Sequence, residues 1–447
     1  MASPLLQHAL DRDWLIGLDP NHFRTQFHKR LVELTALPTS SSILLAEADS
    51  AAFLASFLAT VAAHHTAILG NPHWSPREWE QALDLTRPTH TLTDTSVPAL
   101  PHPLAPLLLP TPHILIPTGG TSGQIRFATH TWSTLGASVW GFQQFFECSP
   151  IHSCCVLPLY HVSGLMQVLR SLLTQGTLAI HPFKSLEAGV LPTFDPAGFF
   201  LSLVPTQLQR LIQRPETISW LQQFGTILLG GAPPWPALLE QAHHHGLRLA
   251  PTYGMTETAS QVATQKPDDF LLHKSGYQIL PHAQITLESG IVHIQAKSLA
   301  LGYFPKSFKN GEAFKTDDVG CIDEVGRLHL RGRASDKIIT GGENVFPAEV
   351  EAAIRATGLV EDVAVIGVGD RHWGEAITAI YVPAPSTVTP TQILASLAPH
   401  LSRFKHPKHW IPVLTLPRTP QGKLNRAALE AIAQRHIEGK QESQLSK

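Results

Sequence analysis

Residues 113–127 read HILIPTGGTSGQIRF, an apolar β-like run that opens into glycine and small hydroxylated residues and closes on one arginine. Thr118, Gly119, Gly120, Thr121, Ser122 and Gly123 offer backbone N–H groups that can converge, with hydroxyls beside them, and Arg126 adds a permanent charge. That combination suits an anion with several oxygens. The P-loop pattern GxxxxGK[ST] is absent, and a flexible glycine turn alone would read the same way.

Outward from the loop the chain reads as α/β. Residues 51–63 have the pattern of a buried helix, and 68–72 that of a short apolar step and turn. Thr131 is placed to N-cap a helix with Trp132, Leu135, Val139, Phe142 and Phe146 on or near one face. The six prolines of residues 97–112 predict irregular chain over the surface. Runs at 154–157, 177–180, 199–204, 226–229 and 248–251 alternate with helical segments, which predicts a largely parallel sheet covered by helices. From about residue 284 the runs QITLESGIVHIQA and GRLHLRGR predict an antiparallel, barrel-like piece, and RGRASDK (331–337) a hinge. The expected fold class is therefore α/β. A large N-terminal domain of mixed and parallel sheets with flanking helices and a barrel-like subdomain spans 1–332. A hinge follows at 333–336, then a small mobile C-terminal α+β domain at 337–437 and a flexible tail at 438–447.

With 447 residues, 43% hydrophobic and 15% charged, the chain is globular and long enough for more than one compact unit. A net charge of −2 gives no electrostatic case for nucleic acid or an anionic membrane surface. Four cysteines without CxxC spacing point to a reduced, cytoplasmic setting. The longest apolar run, 51–63, is too short for a bilayer, so no membrane insertion is expected, and MASPLLQH lacks a signal-peptide design. The 25 histidines, adjacent at 64–65 and 243–245, lack the spacing of a zinc pair, and no structural metal is expected.

Four more stretches complete the pattern: PTYGMTETASQ (251–261), FKTDDVG (314–320), RGRASDKIITGGENVFPAE (331–349) and PRTPQGKLNR (417–426). With the glycine loop, in this order and spacing, they resemble the adenylate-forming superfamily of acyl-CoA ligases, peptide-synthetase adenylation domains and firefly-type luciferases, over about residues 50–435. The resemblance implies ATP, Mg2+ and coenzyme A as cosubstrates. A carboxylate must then attack the anionic α-phosphate, so charge has to be neutralised on both sides of the new bond. On that reading Glu257 binds Mg2+ and Thr256 contacts the α-phosphate. Tyr253, with Gly254 and Met255, lies against adenine, and Gly230, Gly231, Ala232 and Pro233 lie on its other side. Asp318 accepts the ribose hydroxyls and Arg333 contacts the nucleotide near the hinge. Lys423, the third catalytic residue beside Thr256 and Glu257, reaches in during adenylation and bridges the attacking carboxylate and phosphate oxygens. The glycine loop would grip the β- and γ-phosphates. It departs from the usual TSGTTGxPK at Gly119, Ser122, Ile125 and Arg126, and arginine keeps the charge with bidentate reach.

LPLYHVSGLMQVLR (157–170), YGMTETASQ and SDKIITGGENVFPAE are similar to the o-succinylbenzoate–CoA ligases of menaquinone and phylloquinone synthesis, among which a serine such as Ser335 is an ordinary hinge residue. This implies an aromatic acid with two carboxylates, one activated and one held by Arg170 with Ser163 assisting. His161 and Gly230 would line the acid pocket. From the residues alone, Arg170 could equally end the exposed face of an amphipathic helix, and His161 could be a packed core residue. After adenylation the small domain would rotate, replacing Lys423 by Gly341, Gly342 and Glu343 beside a tunnel for the thiol arm. Residues 424–447 are too few for a carrier domain, so the expected partners are the small aromatic acid and free coenzyme A, with a homodimer left open. Alternative readings are another aryl- or short acyl-CoA ligase, a non-catalytic acyl-nucleotide-binding protein, and a luciferase-like oxygenase.

Overall fold

The structure is a computed structural model that describes residues 12–94, 112–119, 124–309, 311–341, 343–370, 372–384, 388–397, 401–418 and 424–445. The chain forms two compact units: residues 1–231, 245–285 and 294–314, and residues 232–244, 286–293 and 315–447.

The first unit holds two sheets. In one, strand β1 (Ile114–Gly119) pairs antiparallel with β2 (Ile125–His130). Beyond β1 lie Thr66–Leu69, Ser42–Ala46 and His90–Thr93, all parallel, and beyond β2 the two-residue strand Gly302–Tyr303 runs antiparallel. Ser42–Ala46 is buried at every position, as a parallel strand covered on both faces must be. Helix Ser50–Ala62, expected from the run 51–63, covers it and is capped by Asp49, whose side chain accepts from the Ala52 N–H. The strand Thr66–Leu69 overlaps the start of the apolar step and turn expected at 68–72; its four residues are too few to display a period.

Helices α1 (Trp132–Phe146) and α2 (Val162–Leu173) link this sheet to the second. Thr131 caps α1 as expected, its hydroxyl accepting from the Thr134 N–H at 3.2 Å. The second sheet has eight strands, in the order Leu15–Ile16, Leu178–Ile180, His152–Cys155, Phe199–Leu203, Thr226–Leu229, Leu249–Met255 (β3), Ser260–Thr264 (β4) and Gln278–Ile279. The first six are parallel and the last two antiparallel, and five of the six coincide with the runs read from the sequence. Leu45 and Ile116 of the first sheet, Cys155 and Leu178 of the second, and Met166 and Leu169 of α2 share one core, so both sheets and α2 are fixed by the same apolar contacts.

The antiparallel piece expected from residue 284 is a four-stranded sheet of Ala283–Glu288, Ile291–Ala296, β5 (Phe314–Ile322) and β6 (Leu328–Arg333). The second unit contains a five-stranded sheet built on the long hairpin Val360–Asp370 and Gly374–Pro383. Its residues alternate as a strand should. Val363, Val365, Ile377 and Ala379 pack with Val350 and Ile354 of helix Pro347–Ala356, and Ala364, Ile366 and Ile380 pack with Leu429 and Ala433. Compactness groups most of β5 and all of β6 with this unit, whereas the expected domains 1–332 and 337–437 are drawn about a hinge motion, which compactness does not measure.

Candidate active site

The β1–β2 register sets Thr118 opposite Arg126 and Gly119 opposite Ile125, so the strands on either side of the glycine loop are paired up to its edges. Gly120, Thr121, Ser122 and Gly123 lie outside the described residues. Tyr303 pairs with Ala128 across the neighbouring strand. Arg126, two residues along the same face, is therefore its diagonal neighbour, and the guanidinium stacks on the Tyr303 ring at 4.2 Å. The Tyr303 hydroxyl donates to Glu257 Oε1 at 2.5 Å. Burial, and after it the adjoining carboxylate, hold this phenol well above its usual range, so it stays a donor.

Thr256 and Glu257 belong to a single helical turn, Thr256–Thr258, between β3 and β4. The strands approach so closely that a Cβ on Gly254 would lie 2.1 Å from the Ser260 carbonyl oxygen, at the place where the register shifts. The turn ends on two non-glycine residues with left-handed backbone, Ala259 (φ 51°) and Ser260 (φ 87°). Side chains hold it there. The Ser138 hydroxyl donates to the Ala259 carbonyl at 2.6 Å, the Ser298 hydroxyl to the Thr258 carbonyl at 2.8 Å, and the Thr258 hydroxyl to the Ser260 carbonyl at 2.6 Å. His130 Nε2 lies 2.8 Å from the Thr256 carbonyl. Burial pushes His130 down to about 4, so the ring is neutral, and because a carbonyl only accepts, its proton sits on Nε2. Sequence reasoning missed His130, Ser138, Ser298 and Tyr303. Each acts from a stretch distant in sequence, a strand, a helix or a turn, whose local pattern does not point to the Thr256–Thr258 turn.

At the other end of the same turn, Ser260 and Gln261 meet α2. His161 is the N-cap residue of α2, its ring 4.6 Å from that of Tyr160, and Ser163 is exposed in the first turn. Arg170 occupies the last turn and is 2% exposed, which excludes the surface alternative. It lies two turns, roughly 10 Å, from Ser163. Its actual partners are Ser260 Oγ at 3.1 Å and Gln261 Oε1 at 2.7 Å, both accepting from Nη2, and the Phe142 ring at 4.1 Å. Among the described residues no carboxylate pairs with it, and burial pushes its pKa down to about 9. Around it are further buried polar atoms without partners among the described residues: Arg170 Nε, Gln261 Nε2 and both ring nitrogens of His282, which is 3% exposed. Burial first, and then the charge of Arg170, push His282 down to about 4. Of the residues expected near adenine, Tyr253 is buried, Gly254, Met255 and Gly230 are half-buried, and Gly231 is exposed.

In the second unit, Asp318 and Arg333 stand directly opposite in the β5–β6 ladder, 3.4 Å apart as an ion pair. The acid expected at the ribose and the arginine expected at the nucleotide are thus neighbours. Ser335 donates its N–H to Asp317 Oδ1 at 3.1 Å and its hydroxyl to Asp317 Oδ2. Gly341 takes a left-handed φ of 59° and donates to the Trp373 carbonyl at 2.8 Å. Ala232, Pro233 and Glu343 are exposed, and Gly342 and Lys423 lie outside the described residues.

The AMP-binding enzyme family matches residues 98–289, which carry this turn and both of its flanks, and the AMP-binding enzyme C-terminal domain matches residues 349–423. The chain is 32% identical over 333 residues to a 2-succinylbenzoate–CoA ligase of Listeria monocytogenes serotype 4b (strain F2365), covering 70% of this chain and 68% of the relative. The chain belongs to the AMP-binding enzyme family. A 2-succinylbenzoate–CoA ligase of Geobacillus sp. (strain WCH70) is 31% identical over 340 residues, covering 70% and 68% of the two chains. Among solved structures, the o-succinylbenzoate CoA synthetase of Bacillus subtilis in complex with its acyl-adenylate intermediate has the same fold. Its TM-score is 0.82 at 24% identity, over 96% of this chain and 97% of the other. The same synthetase with ATP and magnesium ion gives 0.81 at 22% identity, over 95% and 98%. The mixed α/β architecture expected from the sequence is the fold of this AMP-binding family.

Proposed function

We propose that the chain is an acid–thiol ligase that activates 2-succinylbenzoate and passes it to coenzyme A. A carboxylate oxygen of the acid attacks the α-phosphorus of ATP, the bond to the bridging oxygen of pyrophosphate breaks, and an acyl-adenylate remains. The thiol of coenzyme A then attacks the acyl carbon, AMP leaves, and the thioester forms. The observation that carries the choice of acid is Arg170: a buried guanidinium held by a serine and an amide, with no carboxylate beside it among the described residues. An uncompensated buried charge is costly, and a second carboxylate on the substrate offsets it. A fatty acid has no such group.

Arg126 and the glycine loop grip the β- and γ-phosphates, His130 fixes the Thr256 backbone for an α-phosphate contact, and Asp318 and Arg333 take the ribose side. Mg2+ fits Glu257, a buried carboxylate with one oxygen held by the Tyr303 hydroxyl at 2.5 Å, since Mg2+ prefers one or two carboxylates completed by phosphates and waters. When bound, the ion would offset negative charge on the phosphates. Lys423 is assigned to adenylation, Gly341, Gly342 and Glu343 to the thiol tunnel, and residues 333–336, with Ser335, to the hinge between the two half-reactions. No helix of the described residues is long and apolar enough to cross a membrane. A cytoplasmic setting is proposed with the four free thiols, and a homodimer is left to gel filtration.

The test is pyrophosphate release against mono- and dicarboxylic aromatic acids, each with and without coenzyme A. Strong preference for 2-succinylbenzoate supports the reading. Activity confined to simple benzoates would replace it by an aryl-CoA ligase, and silence with every acid by a binding protein. Lys423→Ala is expected to abolish adenylation while still forming thioester from supplied acyl-adenylate; equal loss of both steps would remove Lys423 from its assigned role.

A further inference from the structure

Tyr303 touches both charged parts of the triphosphate end, and neither family motifs nor composition pointed to it. Its strand is only two residues long but firmly attached. Leu301 N–H donates to the Thr129 carbonyl at 2.8 Å, Phe304 N–H to the Phe127 carbonyl at 2.9 Å, and Ala300 N–H to the Glu257 carbonyl at 2.7 Å. Phe308 packs edge-on against the Tyr303 ring at 5.3 Å. The side chain is thus fixed to β2 on one side and to the Glu257 turn on the other.

We propose that Tyr303 is a positioning residue that sets the phosphate-loop arginine and the metal-binding carboxylate from one side chain: its ring carries Arg126 and its hydroxyl orients Glu257. The inference rests on the reading of Glu257 as the Mg2+ carboxylate and Arg126 as a phosphate contact. Arg126 and Glu257 have opposite charges, and a direct pair would turn each away from its ligand. They make no such pair; the tyrosine links them instead, the face of a π-system satisfying the cation and a hydroxyl satisfying one carboxylate oxygen. The other oxygen of Glu257 takes no hydrogen bond among the described residues and stays available to a cation. The single 2.5 Å bond holds the carboxylate in one orientation, as the outer partners of metal ligands commonly do.

The two contacts can be separated by substitution. Tyr303→Phe keeps the ring and loses the hydroxyl, whereas Tyr303→Leu loses both. ATP binding to the full chain is measured by calorimetry in EDTA and across a Mg2+ series, with melting curves to establish folding. For Tyr303→Phe, affinity for metal-free ATP is expected within twofold of wild type, while the Mg2+ concentration that gives half of the tightening rises about tenfold or more. Tyr303→Leu is expected to weaken metal-free ATP as well. A Phe variant whose Mg2+ dependence stays within twofold of wild type overturns the proposal, as do Phe and Leu variants that behave alike. Glu257→Gln separates the two levels. If it leaves the Mg2+ dependence unchanged, the metal reading falls and the proposal with it; if it changes the dependence and Tyr303→Phe does not, the proposal alone falls.

Discussion

A guanidinium in an apolar interior loses more hydration than a serine and one amide oxygen return. Arg170 is in that position, stacked on Phe142 and without a counter-charge among the described residues. A charge pair completed by substrate in such a place has a large effect on binding. Arg170→Met is therefore expected to weaken the dicarboxylate by about 2–5 kcal/mol, on the order of thirty- to several-thousandfold in KM. Aromatic monocarboxylates should change little, and the narrowing of that preference is the quantity to measure. If both acids weaken alike, the guanidinium is structural. The sequence placed the arginine in the right motif but could not choose between surface and interior. That choice depends on β4 arriving beside α2, which no local pattern encodes.

At the scale of elements, the β3–β4 turn is the joint of the site, since Thr256 and Glu257 lie at one end and Ser260 and Gln261 at the other. Gly254→Ala would drive a methyl into the Ser260 carbonyl. A cost of about 1–3 kcal/mol is expected, with ATP and acid binding failing together, measured by melting and calorimetry. Retention of either binding function at full strength would show that the turn is not shared. The strands around the turn were legible because buried parallel strands read as apolar runs bounded by breakers. The left-handed residues Ala259 and Ser260 were not, because neither is glycine. Their backbone is dictated by hydroxyls on α1 and before the Gly302–Tyr303 strand.

At the scale of the whole molecule, His130 and His282 are buried in neutral form. His130 is held down to about 4 by burial, against the opposing pull of the Thr256 carbonyl, and His282 to about 4 by burial and then Arg170. In the unfolded chain both protonate near 6.5. Their contribution is therefore complete above pH 6.5 and is lost as pH falls toward 4, by up to about 3 kcal/mol each. Glu47 and Glu351, raised by burial, act in the opposite sense and offset part of it. The melting temperature is expected to drop steeply between pH 6.5 and 4, and His282→Leu to make that slope shallower. A flat profile would mean that both rings take up their protons without unfolding.

The stranded polar cluster has a consequence for how such a chain can diverge. On the proposed reading of Arg170, converting the site for greasy acids means removing charge at 170, and that change alone leaves Gln261 Nε2 and both ring nitrogens of His282 buried without partners among the described residues. These positions come from three separate stretches of chain and would have to turn over together. Single-step drift toward new acids is blocked at this spot, and a retooled variant should be sought in combinatorial libraries spanning 170, 261 and 282 at once.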